Sequence, residues 1–236
     1  MHPYARSLKA LLAAHAHPDQ AGPMKRYMRD QFDYLGIKGP EMDATLKAYY
    51  SAHGLPPLAD LDKVLRDLWA LPPREYQYTA VGLLSRCASD LPAGFIKTLE
   101  YLIVTRSWWD TVDSIATGAL GIHFKRYPAV RTRTLARWRK SGNFWLRRAC
   151  ILFQLNYKYE TDFPLLCDII CENLGSREFF INKAIGWALR QYTRVDAPAV
   201  RRFVAETPLS PLSAREALKW LAKRGGVERP AHVPAT

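Results

Sequence analysis

The chain has 236 residues, of which 48% are hydrophobic and 24% are charged, a balance typical of a folded globular protein and not of a disordered chain. Lysine and arginine outnumber aspartate and glutamate by 34 to 22, which gives a formal net charge of +12 at pH 7. This excess favours a polyanionic partner, with nucleic acid first and an anionic membrane surface second.

The first apolar run, at residues 8–14, is interrupted by Lys9 and is too short to cross a bilayer. No convincing signal-peptide cleavage site follows it, so we expect a cytoplasmic protein without a membrane segment. The histidines and cysteines do not fall in a metal-binding spacing. We therefore expect neither a metal nor a cofactor.

Apolar residues recur at helical spacing along the chain, and no comparable alternating segment predicts a strand. Clear examples are Leu58, Leu61, Leu65 and Leu68, then Leu146, Ala149, Cys150 and Phe153, then Phe163, Leu166, Cys167 and Ile170. Short breaks with Gly, Pro, Asp or Ser at residues 17–19, 54–57, 72–73, 91–92 and 207–211 divide the chain into about a dozen helices.

Many short helices joined by tight turns suit stacked helix pairs, each of which buries its apolar face against its neighbours. We therefore predict an all-α fold, an α-solenoid of HEAT type, slightly ahead of a compact helical bundle. One domain should cover residues 1–226, with residues 227–236 as a frayed tail. The segment from Ser213 to Glu216 has the form of a capping box at a helix start, and Gly225-Gly226 fits the end of that helix.

Positive charge is concentrated in the middle of the chain, because no acidic residue occurs between Asp113 and Glu160. Ten cations fall in this window, namely Lys125, Arg126, Arg131, Arg133, Arg137, Arg139, Lys140, Arg147, Arg148 and Lys158. A solvated face usually mixes both signs of charge. A phosphate-binding surface is therefore the favoured interpretation, and an ordinary solvated face is the alternative.

The helix expected at residues 178–194 has two contrasting faces when drawn at about 100° per residue. The core stripe comprises Ile181, Ile185, Ala188 and Tyr192, and the opposite side carries Phe180, Lys183, Trp187, Arg190 and Arg194. Aromatic rings beside cations are typical of a nucleic-acid surface. A protein interface is the alternative.

A second helix, expected at residues 107–122, adds a carboxylate to this pattern. Its apolar stripe contains Val112 and Ile115, and Trp109 and Asp113 lie one turn apart on an adjacent face. Alone, Asp113 would be read as an ordinary solvated residue. By the same construction Arg148 lies opposite the core stripe of its own helix and can face a ligand.

Three segments make the sequence recognisable: Ser107–Ile115 (SWWDTVDSI), Trp145–Leu155 (WLRRACILFQL) and Glu178–Arg190 (EFFINKAIGWALR). They resemble the AlkD family of bacterial alkylpurine DNA glycosylases. The likeness extends from the N-terminal Met-His-Pro through Pro23–Met28 (PMKRYM) to Pro211–Ala217 (PLSAREA), which is nearly the whole chain.

The resemblance implies a HEAT-like solenoid whose concave, basic cleft holds double-stranded DNA, and a monomer that removes purines alkylated at N3 or N7. It also implies that Trp109, Trp187 and Asp113 surround the sugar of the lesion. Residues implied near the DNA are Tyr27, Arg148, Phe179 and Phe180. Lys38 stands where we expect a glutamine, so it can reach a phosphate but a contact to a base is in doubt.

The expected function is therefore hydrolysis of the N-glycosidic bond of a cationic alkylpurine, with contacts to sugar and backbone and no base pocket. One alternative is a non-catalytic protein of the same fold that binds DNA. Another is a HEAT scaffold for a protein or RNA partner.

Overall fold

A computed structural model describes residues 1–223. These residues form helices and no strand, apart from one isolated bridge between Asp33 and Pro73, which confirms the all-α class. They form two compact units, residues 1–115 and residues from 116 onward. The Gly225-Gly226 helix end and the tail at 227–236 lie outside the described residues, and the single domain over 1–226 stays a prediction. None of the described helices is long and apolar enough to cross a membrane.

The first unit is built from seven α-helices and one short 3-10 turn at Ala93–Phe95. The helices are α1 (Pro3–Ala14), α2 (Pro18–Tyr27), α3 (Gly39–His53), α4 (Leu58–Trp69), α5 (Arg74–Arg86), α6 (Ile96–Val104) and α7 (Trp109–Ile115). Helix α4 packs against α1, α5 and α6, and α7 packs against α5 and α6. Packing between helices that are close in the chain is what stacked helix pairs require.

The predicted apolar spacing on α4 is correct for three of its four leucines, and wrong for Leu58, the first residue of the helix, which is 44% exposed. Leu61, Leu65 and Leu68 on α4 have no exposed surface, because residues three and four apart share one face of a helix. Several helices begin with proline at the first position, as α1 and α2 do. Proline is tolerated there because the first amide of a helix has no partner within it.

The second unit begins with a π-helical turn at Ala116–Leu120 and contains a 3-10 turn at Lys158–Glu160. Its helices are α8 (Gly121–Arg126), α9 (Pro128–Trp138), α10 (Phe144–Leu152), α11 (Phe163–Cys171), α12 (Phe179–Tyr192), α13 (Ala197–Glu206) and α14 (Pro211–Lys223). The predicted helix 107–122 is thus three consecutive helical elements. Helix α10 packs against α9, α11 and α12, and α14 packs against α12 and α13.

The start of α14 differs from the predicted capping box. The helix begins at Pro211, and the hydroxyl of Ser210 accepts a hydrogen bond from the amide of Ser213 at 3.1 Å. Ser213 is buried, and its hydroxyl donates to the carbonyl of Asn182 at 2.9 Å. The Ser–x–x–Glu pattern at 213–216 therefore joins α14 to α12 and does not mark the helix start.

Helices α12 and α14 approach each other closely at Gly186. A β-carbon at this position would lie 2.5 Å from the β-carbon of Glu216 and 2.9 Å from the carbonyl oxygen of Ser213. Only glycine fits without displacing backbone atoms, so this residue sets the separation of the two helices.

Candidate functional site

In the first unit, two of the sequence-predicted site residues line one open cavity of about 320 Å³. They are Tyr27, at the C-terminal end of α2, and Trp109, the first residue of α7. Tyr27 is 76% exposed and Trp109 is partly buried. Met24, Tyr34, Tyr78 and Asp110 also contribute to the lining. The cavity therefore presents mainly aromatic and apolar surface.

The start of α7 is held by a buried ion pair. The guanidinium of Arg74 has no exposed surface and binds Asp110 through both carboxylate oxygens, with Nε to Oδ2 at 2.9 Å and Nη2 to Oδ1 at 2.6 Å. Arg74 also donates to Thr111 Oγ1 and to the carbonyl of Arg106, each at 2.9 Å. Because these partners flank Trp109 in the chain, the network fixes the position of its backbone.

A chain of hydroxyl groups extends this network along the cavity wall. Tyr78 donates to Oδ2 of Asp110 at 2.8 Å. Since that bond uses its single proton, Tyr34 must be the donor in the 3.1 Å contact between the two hydroxyls. Burial raises the pKa of Tyr34 to about 12. Burial and then the charge of Asp110 raise the pKa of Tyr78.

Asp113 lies one helical turn after Trp109 on α7, as the spacing predicts, and its side chain is partly buried. Val112 and Ile115, on the adjacent face, have no exposed surface. The core therefore anchors α7 on one side, and Trp109 and Asp113 lie at the margin of that packed face.

Lys38 is exposed and immediately precedes α3. The loop before it is organised by Glu75, which is fully buried and accepts hydrogen bonds from three successive amides: Leu35 at 3.0 Å, Gly36 at 2.9 Å and Ile37 at 3.3 Å. Gly36 adopts a left-handed conformation with φ of 89°. The buried carboxylate of Glu75 therefore fixes the backbone that leads to Lys38.

In the second unit, Arg148 and Phe180 contact each other. The Arg148 side chain is only 4% exposed, and Nη1 donates to the carbonyl oxygen of Phe180. The ring of Phe180 is parallel to Phe144, with centroids 6.4 Å apart, and lies 5.0 Å from Trp145. The helical wheel placed Arg148 opposite the core stripe, but the residue is buried, because α10 is buried on nearly all sides. Contact between Arg148 and a ligand stays a prediction.

The other aromatic residues of α12 differ in exposure. Phe179, the first residue of the helix, is 53% exposed, and its ring meets Phe180 edge-on at 5.5 Å. Trp187 is partly buried. On the predicted core side, Ile181 and Ile185 are buried and Tyr192 is partly buried. Phe179 and Trp187 therefore retain surface that a ligand can reach.

The cations of α12 are less free than the helical wheel predicts. Lys183 lies 3.1 Å from Oε1 of Glu216, and Arg190 donates to Oε2 of the same carboxylate. Burial would raise the pKa of Glu216, but the hydrogen bond and charge of Lys183, with Arg190, outweigh burial and lower it. Arg194 lies just after α12 and is exposed.

Part of the basic window at 125–158 is also neutralised in space. Lys125 pairs with Glu160 at 2.8 Å, and Arg139 binds both oxygens of Glu172 at 2.7 Å. Both carboxylates lie outside the window, so the sequence reading of ten unopposed cations is wrong for these two. Arg133, Lys140 and Lys158 are exposed.

Sequence reasoning missed Arg74, Asp110, Tyr78, Glu75 and Glu216, which position the predicted site residues without being motif members. A faint signal exists for Arg74 and Glu75, because two charged residues directly after Pro72-Pro73 open a helix whose other first-turn residues are uncharged. Their partners are 36 and 38–40 residues away, a separation that helical spacing cannot predict.

Within residues 1–223, helices that are close in the chain pack against each other, α7 carries aromatic and carboxylate side chains, and α12 carries further aromatic and cationic side chains. The family model for DNA alkylation repair enzymes matches residues 8–221. The chain belongs to this family, and DNA is the substrate that membership implies.

A solved structure supports the same conclusion. The chain is similar to a structure described as a predicted DNA alkylation repair enzyme from Enterococcus faecalis, with 32% sequence identity and a TM-score of 0.81. The match covers 88% of this chain and 97% of that one. Comparison with curated proteins found no match.

Proposed function

We propose that this protein is a DNA glycosylase that hydrolyses the N-glycosidic bond of cationic N3- and N7-alkylated purines in duplex DNA. The observation that carries the proposal is the placement of Trp109 and Asp113 one turn apart on α7, both partly exposed, in a member of a DNA alkylation repair family. Trp109 lines an open aromatic cavity, and its helix start is fixed by a buried ion pair.

The chemistry demands little from the protein at the leaving base. A purine alkylated at N3 or N7 carries a positive charge, so it departs as a neutral base without needing a proton. Positive charge then develops on the deoxyribose as an oxocarbenium ion. A carboxylate beside the sugar stabilises this transition state more than the ground state.

Asp113 supplies that carboxylate. It also orients the attacking water and accepts its proton as the new bond to the sugar carbon forms. One carboxylate suffices, in contrast to the paired acids of many sugar hydrolases, because the leaving base is already activated by its charge.

Trp109 and Trp187 each offer a ring face to the cationic nucleotide. Such a contact contributes about 0.5–2 kcal/mol, depending on how well water is excluded. An uncharged nucleotide gains none of this, so the rings favour the lesion over a normal purine. Tyr27, with most of its surface exposed, is proposed to contact the DNA beside Trp109.

The remaining predicted residues hold DNA. Exposed Lys38 and Arg194 are proposed to bind phosphates, and Phe179 offers an exposed ring to the backbone or sugar. Lys183 and Arg190 share Glu216, so they retain one net positive charge between them. The Arg148 side chain is largely buried, so its guanidinium is proposed to attract only DNA phosphates that come close to it.

The polar groups of the 320 Å³ cavity support binding without a base pocket. Asp110, Tyr78 and Tyr34 are hydrogen-bonded to Arg74 or to one another, so none of them has a free proton to donate to the edge of a base. Glycosylases that rotate a base into a fitted pocket rely on such edge contacts. We therefore propose that the sugar and backbone are held while the base stays outside.

Base release tests the proposal. The purified protein is incubated with duplex DNA that contains N-methylpurines, and the released bases are separated and identified. We expect free N3- and N7-methylpurines and an abasic strand. Release no faster than in buffer, by a protein that binds the duplex, would instead support a non-catalytic DNA-binding protein.

A further inference from the structure

A second cavity lies wholly within the second unit and does not include the proposed catalytic residues. Its volume is about 220 Å³, and it lies between the turn that follows α10 and the C-terminal end of α12. Ile151, Leu166 and Ala188 form part of an apolar floor. A cavity of this volume has room for several water molecules or for one small organic ring.

The rim of this cavity is rigid. The side-chain amide of Gln154, itself 4% exposed, accepts from the amide of Asp162 at 2.8 Å and donates to its carbonyl at 3.3 Å. Tyr157 donates to the carbonyl of Gly121 at 2.6 Å. Between these anchors Lys158 adopts a left-handed conformation with φ of 55°, which a non-glycine residue keeps only where its surroundings enforce it. The turn is therefore pre-organised.

Two cations line the cavity, Lys158 and Arg194, and both are exposed. Neither side chain has a hydrogen-bond or ion-pair partner within residues 1–223. The nearby Glu160 of the same turn is engaged by Lys125 at 2.8 Å. This contrasts with Arg139, which a carboxylate neutralises. The positive charge at this cavity is thus available to an anion.

Two tyrosine rings, Tyr159 and Tyr192, form part of the cavity wall. Tyr192 stacks on Phe163 with centroids 4.4 Å apart and an interplanar angle of 10°, which makes a flat, supported surface. Tyr159 is 76% exposed and has an unobstructed ring. Flat rings beside cations suit a planar group attached to a phosphate, whereas an aliphatic anion would gain nothing from them.

We propose that this cavity binds a single nucleotide unit, with the base against the rings of Tyr159 and Tyr192 and the phosphate on Lys158 and Arg194. The site contains none of the proposed catalytic residues and does not rest on the proposed glycosylase activity, although Arg194 is also one of the residues proposed to bind duplex DNA. The nucleotide comes from single-stranded DNA or is a free mononucleotide, and the two sources share this chemistry.

Binding of dTMP and of a single-stranded hexathymidylate to the full chain tests the proposal by calorimetry. Tyr159→Ala should weaken binding at least about fivefold, the smallest loss expected when one stacking ring is removed. Gln191→Trp, a substitution at a partly buried lining residue, should block the cavity. If the variants lose affinity for both probes, the cavity binds free nucleotides. If the variants lose affinity for the hexamer and the wild-type protein does not bind dTMP, the nucleotide comes from a single strand.

Charge controls separate a site from diffuse attraction. The double variant Lys158→Gln and Arg194→Gln should lose much more affinity for the hexamer than the double variant Arg133→Gln and Lys140→Gln, which removes the same charge at exposed positions outside the lining. Equal losses would overturn the proposal. The proposal would also be overturned if Tyr159→Ala, with an unchanged thermal midpoint, bound both probes with wild-type affinity. Displacement of dTMP by dodecanoate, an aliphatic anion, would overturn it as well.

An excision assay on Tyr159→Ala keeps the two proposals apart. Tyr159→Ala should release methylpurines from duplex DNA at the wild-type rate, because Tyr159 takes no part in excision. A protein that lacks excision activity but binds dTMP in this cavity would support the nucleotide site and contradict the glycosylase.

Discussion

Arg74 and Asp110 form a two-point ion pair in which the arginine has no exposed surface and the aspartate is 9% exposed. Asp110 immediately follows Trp109, so this pair ties the proposed catalytic helix to the start of α5. A buried pair adds little net stability by comparison with apolar packing, but breaking it leaves an uncompensated charge. Its main effect is to fix where α7 begins.

Asp110→Ala should lower the free energy of unfolding by about 3–5 kcal/mol, because Arg74 would remain buried without its partner. Chemical denaturation measures this. Asp33→Asn is the control, because the pair of Asp33 with Lys25 is exposed and an exposed pair contributes little to stability. Equal stability losses in the two variants would contradict the role of the buried pair.

Gly186→Ala should destabilise the protein by about 1–3 kcal/mol, the usual cost of overpacking, because the new methyl group would meet Glu216 and Ser213. Gly82→Ala is the control on another helix, where a β-carbon meets nothing within 4 Å. That change should stabilise by up to about 1 kcal/mol through helix propensity. Thermal and chemical denaturation of both variants test this prediction. If Gly186→Ala left the free energy of unfolding unchanged, α12 and α14 would be able to separate freely.

The link between Glu216 and Lys183 should weaken in acid. The pKa of Glu216 is lowered in the folded protein, so its contribution to stability is present above the unfolded value of about 4.3 and is lost as the pH falls through the lower folded value. At about pH 6, Glu216→Gln should cost about 1–3 kcal/mol. Denaturation at a series of pH values should show this difference shrinking as the pH falls below the unfolded value of about 4.3, and a constant difference would contradict this role of Glu216.

Helical spacing predicted one face of each helix well and said little about the other. It placed Ile181 and Ile185 in the core, as found, because a single apolar stripe is a local pattern. It did not reveal that α12 also packs through Gly186, nor that Glu216 binds the cations Lys183 and Arg190. Those contacts depend on residues about 30 positions away, which no local periodicity encodes. The roles of Trp109 and Asp113 came from resemblance and not from spacing.

Excision should depend on the charge of the lesion and not on its size. A large cationic N7 adduct should be released like a methyl adduct, because no base pocket limits its volume, whereas uracil or hypoxanthine should remain. Neutral bases lack both the leaving-group advantage and the cation–π contact. Single-turnover assays on three matched duplexes test this at saturating protein. Rapid loss of the neutral lesion, or refusal of the large cationic one, would indicate a selective base pocket.

Single-turnover release of N7-methylguanine by Asp113→Asn beside the wild-type protein tests whether the Asp113 carboxylate stabilises charge on the sugar. The substitution keeps the size of the side chain and removes its charge. We expect excision to fall by at least about 100-fold, in line with loss of one electrostatic contact in a transition state. Duplex affinity should stay equal or rise slightly, because a repulsion with phosphate is removed. Near wild-type excision by a folded Asp113→Asn protein would contradict the account.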